Sequence, residues 1–170
     1  MRPRLLALVL TGPIILIAAS RAQNLPSAEN PVRISATEAR RTVDLLHDVY
    51  VNSVVMTHST YVKDAATPPA AMVARRLFEA VAAKGWTQTR WMNNRARALN
   101  PAHNPRDEFE KSAAEQLLKG SPRVEKLEGD RLRIALPVPL ADRSCQTCHP
   151  KDAVGDPVGA LVYTVALLKE

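Results

Sequence analysis

The chain has 170 residues, 46% apolar but only 4% aromatic, which suits one domain, or one domain plus a targeting segment, with a mainly aliphatic core. Its formal charge is +6; the first 22 residues hold three arginines and no acid, so a chain cleaved after Ala22 carries +3. The charges are interspersed, with no basic run and no aromatic stacking platform, which excludes nucleic acid as a partner.

Arg2 and Arg4 precede a nearly unbroken apolar run from Leu5 to Ala19, interrupted at Thr11, Gly12 and Pro13. Ser20-Arg21-Ala22 then puts small residues where a signal peptidase reads, so residues 1–22 read as a secretory signal and the protein as exported and periplasmic. A retained membrane anchor is the alternative. The run is short for a span of about 20 residues, and Gly12-Pro13 breaks its helix. Residues 23–34, with Pro26 and Pro31, read as a flexible lead-in to one domain over 35–170.

Ser35-Ala36-Thr37-Glu38 has the form of a capping box and predicts a long helix to about Asp64, with Val43, Leu46, Val49, Tyr50, Val54 and Val55 near helical spacing. Thr67-Pro68 predicts a second helix start, and Gly85 its left-handed stop. Residues 86–99 read as extended, with Trp86 and Trp91 as core anchors. Asn100 to Pro105 carries two prolines four apart and reads as irregular. Asn104 is the expected cap of a third helix, with Pro105 at its first position and Gly120 at its end.

The period then changes. Val124 to Glu128, a Gly129-Asp130 turn and Leu132 to Val138 predict a hairpin, and Val158 to Leu167 a last strand, where Gly159 leaves room for close backbone approach. Helices first, then an antiparallel sheet, indicate an α+β fold.

Between hairpin and last strand lies Cys145-Gln146-Thr147-Cys148-His149. The pattern C-x-x-C-H is that of covalent haem attachment. Two thiols add across the two vinyl groups of a haem, the two-residue gap lets both reach one porphyrin edge, and the next residue falls beneath the ring as the iron ligand. One covalent haem c on Cys145, Cys148 and His149 is therefore the expected cofactor. A thioredoxin-like site would open a helix beside a βαβ unit, and structural zinc needs four protein ligands; neither pattern is present.

Further words accompany the motif: Gly85-Trp86, Arg90-Trp91-Met92, Asn100-Pro101 with Asn104-Pro105, Phe109-Glu110, Ala113-Ala114, Leu136-Pro137-Val138, Pro150 after the histidine, and Gly159-Ala160-Leu161. Together, over roughly residues 38–168, they resemble the Tll-type c-haem domain family, a domain of unknown function. The resemblance implies a PAS-like α+β fold holding one haem c. Members of such a family are sensory modules fused to signalling domains or stand-alone exported proteins. This chain carries no kinase, chemoreceptor or cyclase part, so signalling implies a separate partner, a redox protein or a membrane-bound signalling protein.

A PAS-like pocket would set the first helix over the distal face of the haem. Some relatives use a cysteine there; here both cysteines belong to the attachment motif. The candidates are His47, Met56 and His58. His47 and His58 share a helix face about 16 Å apart, and Met56 lies about 200° around from His58, so each excludes the others. His58 is favoured for its apolar neighbours Val51, Val54, Val55, Tyr61 and Val62. His47, beside Asp44 and Asp48, reads as a surface residue. Met56 reads as core packing. His103 reads as a turn histidine. Arg90, Arg95 and Arg97 are candidate propionate partners, or solvated arginines flanking Trp91.

The sequence shows no paired carboxylates at telling spacing, no phosphate loop and no nucleophile motif, so no enzyme is expected, a distal histidine with peroxidase-like chemistry aside. Two functions remain: electron transfer or redox sensing with a protein partner, and binding of a small gas such as CO, NO or O2.

Overall fold

A computed structural model describes residues 30–61, 70–94, 100–147 and 149–169. The signal segment, the start of the second helix at Thr67-Pro68, Arg95, Arg97 and Cys148 lie outside the described residues, as do the side chains of His58 and Thr147.

Over the described residues the fold is α+β, with three helices on a four-stranded antiparallel sheet. The order is α1 (Ala36–Tyr61), α2 (Ala70–Ala83), β1 (Thr87–Met92), α3 (Glu108–Leu118), β2 (Val124–Glu128), β3 (Arg131–Pro139) and β4 (Pro157–Ala166). Short 3-10 helices occupy Pro101–His103 and Arg143–Thr147. The sheet runs β1-β4-β3-β2, so the last strand is inserted between the first and the hairpin.

Alternation along β3 and β4 sorts the core into two layers. Leu132, Ile134, Leu136, Val138, Leu161, Tyr163 and Val165 face α1, whose Ala39, Val43 and Tyr50 close over them. Ala135, Ala160, Val162 and Met92 face α3, which answers with Phe109, Ala113, Ala114 and Leu117. Small residues on both sides let α3 lie close to the sheet. Tyr50 meets Phe78 of α2 edge-on, with ring centres 4.2 Å apart.

The local signals explain most boundaries. The Ser35 hydroxyl accepts from the Glu38 amide at 3.2 Å, starting α1. Gly85, at φ +83°, follows α2. Gly129, at φ +59°, takes the first position of the two-residue hairpin turn, a conformation that costs little only for glycine. Residues 32–34, read as the end of the lead-in, are docked: Val32 N–H donates to Gly85 and Ile34 bridges to Leu167 in parallel.

Four details depart from the sequence reading. Asn104 ends the Pro101–His103 turn, and Asp107 caps α3, its carboxylate accepting from the Glu110 amide at 2.9 Å. Asn100, whose side chain accepts from the Ala102 amide, orders the segment expected to be irregular into that turn. Gly159 admits an indole rather than a backbone; a Cβ there would stand 2.3 Å from Trp91 Cζ2. Trp91 is thereby an anchor of the α1 layer, whereas Trp86 is 48% exposed.

The sheet positions the site. β3 and β4 end together at Pro139 and Pro157, and residues 140–156 close a loop between them. Leu140 seals its base: its N–H donates to Asp156 O and its carbonyl accepts from Gly155 N–H, both at 2.8 Å. α1 packs against β3, β4 and the Arg143–Thr147 helix within this loop.

Candidate functional site

The cysteine-histidine segment rides on that loop. Asp142 starts its 3-10 helix: its carboxylate accepts from Ser144 N–H at 2.7 Å and its carbonyl from Cys145 N–H at 3.1 Å. Cys145 is half-buried and carries a free thiol. The His149 N–H donates to Cys145 O at 3.0 Å, so the backbones of the first cysteine and the histidine are held together across one turn of chain.

Beyond His149 the chain turns back. Asp152 N–H donates to His149 O at 3.1 Å, and Gln146 Nε2 donates to Asp152 O at 2.9 Å. Gln146 is one of the two residues between the cysteines, so the segment and its return are tied together. The buried Asp152 carboxylate, 8% exposed as a residue, lies 3.2 Å from His149 Nδ1. A carboxylate only accepts, so Nδ1 is the nitrogen that donates, and Nε2 is the one on the far side of the ring from Asp152. The His149 side chain is 42% exposed. Sequence reasoning missed Asp152; the signal available was a carboxylate three residues beyond the histidine of the C-x-x-C-H motif.

A cavity of about 750 Å³ lies beside the base of the loop. Leu136, Pro137 and Pro139 of β3 and Gly155 and Pro157 at the loop's end line one side, with Asp44, His47 and Asp48 of α1 across from them. β2 stops opposite Ala135, so residues 136–139 have no strand partner on that side among the described residues. Arg123 joins Asp44 at 2.6 Å and Glu125 at 3.1 Å.

His47 is therefore no surface residue. Its Nε2 lies 3.2 Å from Pro137 O and its Nδ1 3.1 Å from Tyr163 Oη. Pro137 O must accept, so Nε2 is protonated. Burial lowers the His47 pKa, so the ring is neutral and Nδ1 accepts from the tyrosine. Burial also pushes the Tyr163 hydroxyl far up, and the Tyr50 hydroxyl to about 12. The Tyr50 hydroxyl is buried without a hydrogen-bond partner. The tyrosines escaped the sequence reading because a buried phenol reads as core.

The other candidates separate. Met56 is 68% exposed rather than core. His103 sits in the 3-10 turn after Asn100, and burial, then Arg90, Arg75 and Arg106, lower its pKa. Arg90 lies across the sheet, on the α3 side. It pairs with Glu110 and donates to Ala102 O at 2.7 Å and Asn104 O at 3.2 Å. Arg133 reaches the same glutamate at 3.3 Å, and Glu110 is 2% exposed. Arg90 thus fastens the asparagine-proline turn to α3. Among the described residues, no three His, Cys, Asp or Glu side chains are grouped to hold a metal ion, and no helix is long and apolar enough to cross a membrane.

Fold and segment define an α+β single-sheet domain that presents C-x-x-C-H on the loop between two central strands. The chain belongs to the Tll0287-like family, whose model matches residues 26–161. Among solved structures it is similar to the cyanobacterial heme-protein Tll0287, at 18% identity and a TM-score of 0.57, covering 80% of this chain and 99% of that one. No curated protein matches the chain.

Proposed function

We propose that this is an exported haem c protein, with one haem joined to Cys145 and Cys148 and its iron held by His149. The observation that carries the reading is the setting of His149: Asp152 lies 3.2 Å from Nδ1, which leaves Nε2 as the nitrogen that would meet iron. The Cys145 thiol one turn away is free, as thioether formation requires. A bound haem would supply a one-electron couple and an axial position. The family match and the likeness to a haem protein support the same reading.

Electron transfer or redox sensing with a partner protein follows from the placement on an exposed loop, where a porphyrin edge stays within reach of another molecule. The fold is read as PAS-like and the compartment as the periplasm, on the strength of the apolar segment before Ala22. Gas binding is the second reading, and His47 favours it. Both ring nitrogens are already hydrogen-bonded, so His47 offers iron a ligand only by losing a bond. The sixth position would then fall to His58 or Met56, or stay open.

The test is an absorption spectrum of mature protein made alongside the c-haem assembly machinery, reduced, before and after carbon monoxide. Haem bands that hold still support electron transfer with a firm sixth ligand, and a prompt shift supports gas binding. Covalent haem retained at full stoichiometry in the double variant Cys145→Ser, Cys148→Ser sinks the attachment.

A further inference from the structure

We propose that Asp152 is a positioning residue of the haem site that works through His149: it fixes the imidazole plane and makes the iron ligand more electron-donating, lowering the reduction potential. This rests on His149 as the iron ligand.

An iron-binding histidine needs an acceptor for its other ring nitrogen, and a backbone carbonyl or water suffices. Here the acceptor is a full carboxylate, the strongest that a side chain offers. Its burial shields the carboxylate from water on its own side, which strengthens its hold on the half-exposed ring. Its position is set by the backbone: Asp152 N–H is tied to His149 O and Asp152 O to Gln146 Nε2, with Pro150 stiffening the return. A carboxylate drawing on the Nδ1 proton pushes electron density toward Nε2. That density stabilises ferric over ferrous iron.

The Gln146 bond makes this more than a turn aspartate. Gln146 lies within the attachment motif, so the element that anchors the porphyrin also anchors the residue that orients its ligand. The carboxylate is thus aligned by the segment it serves.

The experiment uses the mature chain with its haem, as wild type, Asp152→Asn and Asp152→Glu. Covalent haem content, one-electron midpoint potential and ferric electron paramagnetic resonance are measured on each. Asp152→Asn is expected to favour the reduced form about tenfold at fixed potential, an upward shift of about 59 mV for one electron, and to change the ferric g-value spread. Asp152→Glu, which keeps the charge, is expected to return most of both. Wild-type potential and g-values in a fully loaded Asp152→Asn protein overturn the proposal, as does an equal upward shift in Asp152→Glu. A wild-type chain without covalent haem overturns the reading beneath it instead. If Asp152→Asn does not accumulate, Asp152→Ser, smaller and equally uncharged, is read in its place against the same two outcomes.

Discussion

The Tyr163 hydroxyl and His47 Nδ1 stand 3.1 Å apart, and the far side of the same ring donates to Pro137 O at 3.2 Å. A histidine of α1 is thereby stitched to two adjacent strands, its neutral form selected by burial.

That selection has a sign in pH. The folded pKa lies below the unfolded value of about 6.5, so the unfolded chain binds the proton more readily. The stability from neutral His47 is complete above about pH 6.5 and is lost as pH falls through it toward the folded value. The Pro137 carbonyl, Asp48 and Asp44, which favour the proton, temper the loss, whereas Arg123, which opposes it, adds to it. Urea unfolding at pH 7.5 and 5.5 should show a smaller loss in His47→Gln than in wild type. Equal losses would mean that another group, such as His103, carries the dependence.

Tyr163→Phe removes one hydrogen bond and leaves Nδ1 without its donor. The cost should be about 1–2 kcal/mol of unfolding free energy. A double cycle with His47→Gln should then be strongly non-additive, because both changes break one contact.

Glu110 is buried between two arginines, and removing one partner strands charge in the interior. Arg90→Ala should destabilise by about 3 kcal/mol, well beyond an exposed pair such as Arg75 with Glu79. Denaturant midpoints of Arg90→Ala and Arg75→Ala make the comparison, and near-equal values would remove Glu110 as the cause.

Gly159→Ala drives a methyl into the Trp91 ring, and the overpacked site should lose about 1–3 kcal/mol. Trimming the ring in a Trp91→Leu background should relieve the clash. Thermal melts of the single and double variants test this; a second-site cost as large as the first would place the strain in the backbone.

Asp107 caps α3 and pairs with Arg133 at 2.8 Å. Burial pushes its carboxyl up, but the Glu110 amide and Arg133 together outweigh this and hold it below its usual value. Its stabilisation is present above the unfolded value of about 3.9 and fades as pH falls through the folded one. Asp107→Ala should cost about 1–2 kcal/mol at pH 7 and less at pH 2, as read from urea midpoints.

What was legible in the sequence was local. Ser35 three residues before Glu38, Gly85 after an apolar helix and Gly129 between alternating strands each act within a few residues. The cap of α3 was misplaced because Asn104 and Asp107 carry equivalent side chains, and only the turn packed on Asn93 and Arg90 decides between them. His47 was misread because its neighbours in sequence are acidic, whereas its neighbours in space are Tyr163 and Pro137, more than 80 positions away. The C-x-x-C-H motif stands out in the sequence because its parts sit within five residues. Asp152 does not, because its meaning depends on how the chain returns after Pro150.

β3 outruns β2, and among the described residues the stretch Leu136-Pro137-Val138-Pro139 has no strand beside it on that edge. Bare strand margins invite neighbouring molecules to add strands and aggregate. Two prolines here withhold the amides such a newcomer would need, and His47 already occupies the Pro137 carbonyl. The gap that opens the cavity is thus closed to strand addition, which guards the exposed end of the sheet against runaway polymerisation.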